Sequence, residues 1–301
     1  MHPPQTLTLF SPAKINLFLA VTGRRADGYH DLLSVAAPLD FGDELTAEVQ
    51  GPKSQAAGQF TLECDDPALP VDGDNLVLRA AAAFAAETGW RGAVAFRLAK
   101  RIPVGAGLGG GSSDAVAALR ALNQLGGARL GVDDLAALAA RIGSDCPLFL
   151  PGGPVVMRGR GEQVEPLPAA AAARLRGRRV LLFKPAAFGV ATAWAYGRLA
   201  AAGAYLPAAE AERRFATWLD GRAGAEELLF NSFESVVFRK FVALPALLDR
   251  LQREFGLAAR LSGSGSACFA LLPAAAPVAA ITAAIREAWG AAAFVRAARL
   301  A

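Results

Sequence analysis

The sequence predicts an α+β protein in two domains, residues 1–155 and 156–301, and three observations carry that expectation. The chain has 301 residues, enough for two domains of ordinary size. It is 53% hydrophobic and 19% charged, so it has material for a buried core and is not a disordered chain. Strand-like and helix-like segments follow one another along its length, with a break in composition at the turn signal Pro151-Gly-Gly-Pro154.

In chain order, Thr6–Phe10 and Ile15–Val21 have strand character, as do Glu44–Val49 and Gln59–Glu63. Asp74 stands where a helix over Leu76–Thr88 needs an N-cap. Gly92–Leu98 reads as a strand, Ala115–Leu125 as a helix, and Asp133–Arg141 as a second helix ending at Gly143. The alanine-rich Pro168–Ala173 reads as a surface helix or loop. Strands are expected at Arg179–Phe183, Ala258–Leu261, Ala267–Leu272 and around Phe294. The stretch from Ala267 to Ile285 carries no charge, but Pro273 and Pro277 interrupt it. It reads as strand, turn and a helix running into Arg286, not as a membrane span.

The formal net charge is +4, and its densest basic cluster, Arg174, Arg176, Arg178 and Arg179, reads as a solvated turn before a strand. This modest bias suits an anionic small molecule and does not indicate nucleic acid. Cys64, Cys146 and Cys268 are far apart, odd in number and outside any metal-ligand spacing. That argues against a disulfide framework or zinc site and fits a reducing, cytoplasmic compartment. The N-terminal Met-His-Pro-Pro-Gln-Thr lacks the basic start and apolar run of a signal peptide. A Ser-His-Asp hydrolase would need His2 or His30, the only histidines, and no G-x-S-x-G elbow is present.

The chemistry is concentrated in Lys100-Arg-Ile-Pro103-Val104 and the glycines 105, 107, 109, 110 and 111, broken by Ala106 and Leu108 and followed by Ser112-Ser-Asp114 and a helix. Dense glycine lets backbone N–H groups approach a ligand, and the following helix adds free N–H groups and a positive dipole end. Together they suit a polyphosphate. A Walker A loop is rejected because Gly111 stands where its lysine belongs. Gly105, Gly107 and Gly110 also match G-x-G-x-x-G, but a second helix follows where a nicotinamide-dependent oxidoreductase would need a strand.

Pro103-Val-Gly-Ala-Gly-Leu-Gly-Gly-Gly-Ser-Ser-Asp114 resembles the second motif of the GHMP kinases. Pro12-Ala-Lys-Ile-Asn-Leu17 resembles their first, and Leu261-Ser-Gly-Ser-Gly-Ser-Ala-Cys268 their third. Gly143-Ser-Asp-Cys-Pro147 is similar to a further family segment. Asp27-Gly-Tyr-His30 resembles the substrate loop of the branch whose acceptor carries a cytidine diphosphate group, in the non-mevalonate isoprenoid precursor pathway. The matches run from about residue 12 to 268. The resemblance implies a ribosomal-protein-S5-like ATP-binding N-terminal domain and a ferredoxin-like C-terminal α/β domain. It also implies ATP and Mg2+ as cofactors, a monomer or homodimer, and no nucleic-acid or membrane partner.

By the same resemblance, Pro103, Val104, Gly105, Ala106, Gly107, Leu108, Gly109, Gly110, Gly111, Ser112 and Ser113 hold ATP, with Asn75, which is equally a capping residue. Asp145 takes the proton of the attacking hydroxyl, though in isolation it could be an ordinary turn cap. Lys14 lies near it and balances charge, although a strand lysine commonly points to solvent. Asn16, two residues on and on the same strand face, contacts the acceptor. Tyr29, His30 and Tyr196 grip its cytidine, with Thr192, Gly263 and Ser264 nearby; Tyr29 and His30 equally suit an exposed turn, and Trp194 competes with Tyr196. Ser112 or Ser113 is a plausible magnesium ligand, without a clear acidic partner. A homoserine or mevalonate kinase of the same family, or a non-catalytic nucleotide-binding regulator, are the competing readings.

Overall fold

A computed structural model describes residues 5–50, 59–127 and 129–301. His2 and the first residues read for a signal peptide lie outside them. In chain order the elements are β1 (Thr6–Arg24), β2 (His30–Gln50), β3 (Phe60–Cys64), α1 (Leu76–Thr88), β4 (Ala93–Ala99), α2 (Gly110–Leu125) and α3 (Val132–Ile142). A 3-10 turn, Pro147–Phe149, then leads to β5 (Val155–Arg158), β6 (Gln163–Pro166), α4 (Ala169–Leu175), β7 (Arg179–Lys184), α5 (Thr192–Ala202) and α6 (Ala208–Leu219). The chain ends with α7 (Ala225–Leu228), β8 (Phe230–Asn231), α8 (Glu234–Lys240), α9 (Ala243–Phe255), β9 (Ala259–Leu261), β10 (Cys268–Leu271), α10 (Val278–Trp289) and β11 (Phe294–Arg299).

These elements gather into two units that interleave in sequence. The first holds residues up to Ala13, Phe41–Val104 and Gly109–Leu150; the second holds Lys14–Asp40, Gly105–Leu108 and Pro151–Ala301. In the first unit, β4 lies between β3, parallel to it, and the end of β2, antiparallel, with Leu45 opposite Leu98 and Phe60 opposite Val94. The apolar faces of α1 and α2 pack together, burying Val77, Ala80 and Phe84 of one and Ala115, Leu119 and Leu122 of the other. In the second unit, the start of β2 pairs with β5, and Phe18 of β1 pairs with Phe230 of β8. A separate antiparallel sheet has the order β11-β7-β10-β9. Numbered along the chain, that order is 4-1-3-2, the ferredoxin-like arrangement expected for the C-terminal region.

Several expected elements shift for identifiable reasons. The two short strands at Thr6–Phe10 and Ile15–Val21 are one strand. The polar residues that look like a break are buried and paired: Ser11 Oγ donates to Asp114 Oδ1 at 2.7 Å, and Lys14 Nζ to Asn16 Oδ1 at 2.7 Å. Glu44–Val49 is only the end of β2, whose earlier half is apolar and buried on both faces and so shows no alternation. Gly42 is required inside that strand, because a Cβ there would lie 2.2 Å from the Ser11 carbonyl oxygen. The α1 cap is Asn75, not Asp74; its Oδ1 accepts from Val77 N at 2.9 Å. Helix α2 begins at Gly110, five residues before Ala115, as burial from Ser113 onward outweighs the poor helix propensity of glycine. Two helices in succession, α2 and α3, do follow the glycine segment.

Candidate active site

In the first unit the site is built around the start of α2. Gly109, at φ 72°, is its N-cap and offers no side-chain hydrogen bond, so the first N–H groups of a 16-residue helix are left for a ligand. Gly111 is exposed, and a Cβ there would touch Leu76 Cδ1 at 3.4 Å, so the starts of α1 and α2 meet. Asn75 is 9% exposed and uses both ends of its amide in the fold, its Nδ2 donating to Pro70 O at 2.7 Å.

Asp145 lies half-buried in the turn from Gly143 to Cys146, closed by Cys146 N donating to Gly143 O at 3.0 Å. That turn is tied to the first turn of α2. Burial pushes the Cys146 thiol up to about 12, against the opposing effect of its hydrogen bond with Ser112. The Asp145 turn and the start of α2 are therefore neighbours within the first unit. Ser113 is different: its hydroxyl is buried without a partner and lines a small cleft with Leu9, Phe10, Val116 and Phe149. Beneath the helix start lies a charged group that the sequence reading missed, in which buried Lys100 pairs with buried Asp43 and Asp114.

In the second unit, Lys14 is 3% exposed and Asn16 5% exposed. They share a strand face as expected, and a chain of bonds fixes them. Lys14 Nζ donates to Asn16 Oδ1, Asn16 Nδ2 to Ser34 Oγ at 2.9 Å, and Ser34 Oγ to Phe18 O at 2.7 Å. Lys14 N also donates to Leu108 O at 2.9 Å. The segment Gly105–Leu108 is held by the Ser262–Ser266 turn. Ser262 Oγ donates to Gly107 O at 3.0 Å, and Ala267 N to Ala106 O at 3.0 Å. Asn231 fastens that turn, with Nδ2 donating to the Leu261 and Gly263 carbonyls, both at 2.8 Å. Thr192 and Ser264 share a hydroxyl hydrogen bond of 2.9 Å.

His30 stacks in a tilted geometry 4.9 Å from Tyr196 and 5.9 Å from Tyr205, and Tyr196 meets Phe233 edge-on at 4.8 Å. Its Nε2 is buried without a partner, and burial with nearby Arg24 holds its pKa below the usual histidine value. Tyr29 stands apart from this cluster, 52% exposed beneath the Arg160 guanidinium at 4.9 Å. Trp194, the competing aromatic, packs edge-on against Phe241 and lies under the Lys240 ammonium at 4.5 Å. Tyr205 was available to sequence reasoning as the third of three tyrosines; Ser34, Asn231 and Asp43 carried no local signal.

The described residues contain no cluster of three or more His, Cys, Asp or Glu side chains able to hold a metal. None of their helices is long and apolar enough to cross a membrane.

Comparison with known proteins gives concordant matches. Residues 75–153 match the GHMP kinases N-terminal domain, and 216–291 the GHMP kinases C-terminal domain. The 4-diphosphocytidyl-2-C-methyl-D-erythritol kinase of Synechococcus sp. (strain CC9311) is 42% identical over 279 residues, covering 89% of this chain and 87% of that one. The enzyme of the same name from Solidesulfovibrio magneticus is 42% identical over 275 residues, covering 89% of each. A crystal structure of 4-(cytidine 5'-diphospho)-2C-methyl-D-erythritol kinase superposes with a TM-score of 0.75 at 34% identity, covering 98% of this chain and all of that one. The Methanococcus jannaschii mevalonate kinase, at 14% identity and a TM-score of 0.68, shares the fold.

Proposed function

This chain belongs to the GHMP kinases, ATP-dependent small-molecule kinases, and from that premise we propose the step it catalyses: phosphorylation of the 2-hydroxyl of 4-diphosphocytidyl-2-C-methyl-D-erythritol, in the non-mevalonate route to isoprenoid precursors. The observation that carries the acceptor assignment is the His30 ring, packed on Tyr196 with a buried Nε2 awaiting a polar partner. A nucleobase supplies both a flat face for the rings and a polar edge for the nitrogen. Mevalonate and homoserine supply neither.

ATP phosphates lie on the glycine segment and the open end of α2, with Pro103 and Val104 leading in. The acceptor hydroxyl attacks the γ-phosphorus in line. Asp145 removes its proton. The Lys14 ammonium balances the charge that develops, and Asn16, itself held by Ser34, orients that ammonium. Thr192, Gly263 and Ser264 close on the acceptor, and Tyr29 stacks on its cytidine. Most of the acceleration is positioning and electrostatics, as for phosphoryl transfer generally. The residues fit a magnesium ion brought by the nucleotide. Such an ion keeps waters and phosphate oxygens as ligands and needs few from protein, and the Ser112 hydroxyl is a hard donor at the helix end. When bound it would shield phosphate charge.

On this reading residues 1–155 form the nucleotide-binding domain, and 156–301 contribute to the acceptor site. The enzyme acts in the cytoplasm as a monomer or homodimer. The test is ADP release with a panel of acceptors. The cytidine-diphosphate compound should be turned over well and free methylerythritol poorly. Equal turnover of mevalonate or homoserine would remove the acceptor assignment and leave the family intact.

A further inference from the structure

We propose that Lys100 is a positioning residue for ATP binding: by bridging Asp43 and Asp114, its ammonium sets where the open end of α2 stands. The inference rests on the reading that this helix end holds the nucleotide phosphates.

The glycine segment leaves the first unit after Val104 and re-enters it at Gly109. Both anchors meet at one buried charged group. Asp43, fully buried, accepts through Oδ1 from the backbone N–H groups of Arg101 at 2.5 Å and Ile102 at 2.7 Å, pinning the chain just before Pro103. Asp114, fifth residue of α2, receives Ser11 Oγ on Oδ1 and Lys100 Nζ on Oδ2 at 2.9 Å. The Lys100 ammonium also pairs with Asp43 Oδ2, and its side chain is only 5% exposed. One cation thus ties the entering strand to the departing helix.

The same ammonium lies against the first residue of α2. A Cβ at Gly110 would stand 2.9 Å from Lys100 Nζ and 3.1 Å from Ile102 Cγ2, so the helix start is seated directly on this group. Stability alone does not account for the arrangement. Burying two carboxylates with one ammonium is expensive, and an apolar replacement of similar volume is commonly as stable or more so. Burial and the neighbouring Asp43 push the Asp114 carboxyl up to about 6, even though Lys100 and Ser11 both favour its charged form. What the cluster does supply is a fixed geometry, as directed charge-assisted bonds hold one arrangement where apolar packing tolerates several.

The experiment measures KM for ATP, KM for the acceptor and kcat in Lys100→Met, Lys100→Arg and the charge-balanced Lys100→Met/Asp114→Asn variant, with Gly107→Ala as control. If Lys100→Met does not fold, the balanced variant carries the test, because it removes one carboxylate together with the cation. We expect the ATP KM to rise on the order of 10-fold in the Met variants, with acceptor KM and kcat changed far less, and Lys100→Arg to recover most of the loss. A purely structural role lowers kcat in proportion to the folded fraction and leaves both KM values in place; that outcome overturns the inference, as does an unchanged ATP KM in folded protein. If Gly107→Ala itself leaves the ATP KM unchanged, the fault lies in the phosphate-cradle reading instead.

Discussion

Gly107→Ala is the sharpest test of the glycine segment, because its effect can be worked from the backbone and set against a neighbour. Gly107 has φ 77°, and a Cβ placed there would lie 2.2 Å from the Ser262 carbonyl oxygen and 3.0 Å from Gly265 N. The obstacle is backbone, so no side chain can swing aside. One strand of the contact must move by about an ångström, since ordinary contacts begin near 3.4 Å. That displacement breaks the Ser262 Oγ to Gly107 O bond of 3.0 Å and the Gly265 N to Ser262 O bond of 2.9 Å. Two lost hydrogen bonds at about 1 kcal/mol each, with strain of about 1–2 kcal/mol for an L-residue in the left-handed region, amount to about 3–4 kcal/mol against the native position of this segment. Gly105 is the control. It has φ 61°, but nothing lies within 4 Å of its Cβ position. Gly105→Ala therefore carries only strain of about 1–2 kcal/mol, offset by about 0.4–1 kcal/mol from a less flexible unfolded chain. The assay is the ATP KM at saturating acceptor, with a melting curve on the same sample. Gly107→Ala should raise KM far more than Gly105→Ala. Equal effects would refute the reasoning, because the close approach to Ser262 would then have no bearing on nucleotide binding.

Asp145→Asn should lower turnover about 10²–10⁴-fold while ATP and acceptor still bind; full activity with a lower melting temperature would make Asp145 a turn cap only. Lys14→Met should also slow turnover, and the double variant should be little slower than the worse single one if the two act in one step. His30 has a depressed pKa, so its neutral ring is favoured by the fold. Its contribution to stability is present above the unfolded value of 6.5 and is lost as pH falls through that value toward the folded pKa. Acceptor KM should rise over the same acid window, and His30→Asn should flatten that profile; an unchanged profile would remove His30 from base recognition. Asp114 has a raised pKa of about 6, so its ionisation opposes folding. Asp114→Asn should melt higher than the parent at pH 8, and the difference should shrink as pH falls below about 6. A destabilised Asp114→Asn at pH 8 would mean that the Lys100 pairing outweighs the burial penalty.

The electrostatic groups divide by how their burial is compensated. Lys14 and Asn16 are buried as a hydrogen-bonded pair supported by Ser34, so both polar side chains are satisfied away from water. Lys184 is buried and donates to the carbonyls of Pro185 and Phe188, and burial lowers its pKa. Lys100 is buried too, but its two carboxylates keep its pKa raised against desolvation. The two lysines thus shift in opposite directions, decided by whether the neighbours are dipoles or charges.

Local signals sufficed wherever one residue type dictates one backbone requirement. Glycines at 105, 107 and 109 all have positive φ, a backbone requirement that their residue type signals by itself. The succession of two helices after the glycine segment, the period-two placement of Lys14 and Asn16, and the short strands β7, β9 and β10 were also legible, because each depends on neighbours a few residues away. The pairings that give the site its chemistry were not. Ser11 and Asp114 are separated by 103 residues, Lys100 and Asp43 by 57, and Thr192 and Ser264 by 72. No periodicity encodes such partners. The polar Ser11 and Lys14 are buried within a continuous β1, Ser11 because Asp114 meets it from 103 residues away, and Lys14 because it pairs with Asn16, which Ser34 of β2 holds in turn. The separation of Tyr29 from His30 is of the same kind. Adjacent in sequence, they diverge because β2 begins at His30, and side chains at the start of a strand follow the sheet while those of the preceding turn follow solvent. Sequence determined which chemistry the chain carries; the tertiary fold decided which distant groups face each other, because a buried polar group needs a partner and for Ser11, Asn16 and Lys100 that partner comes from another segment.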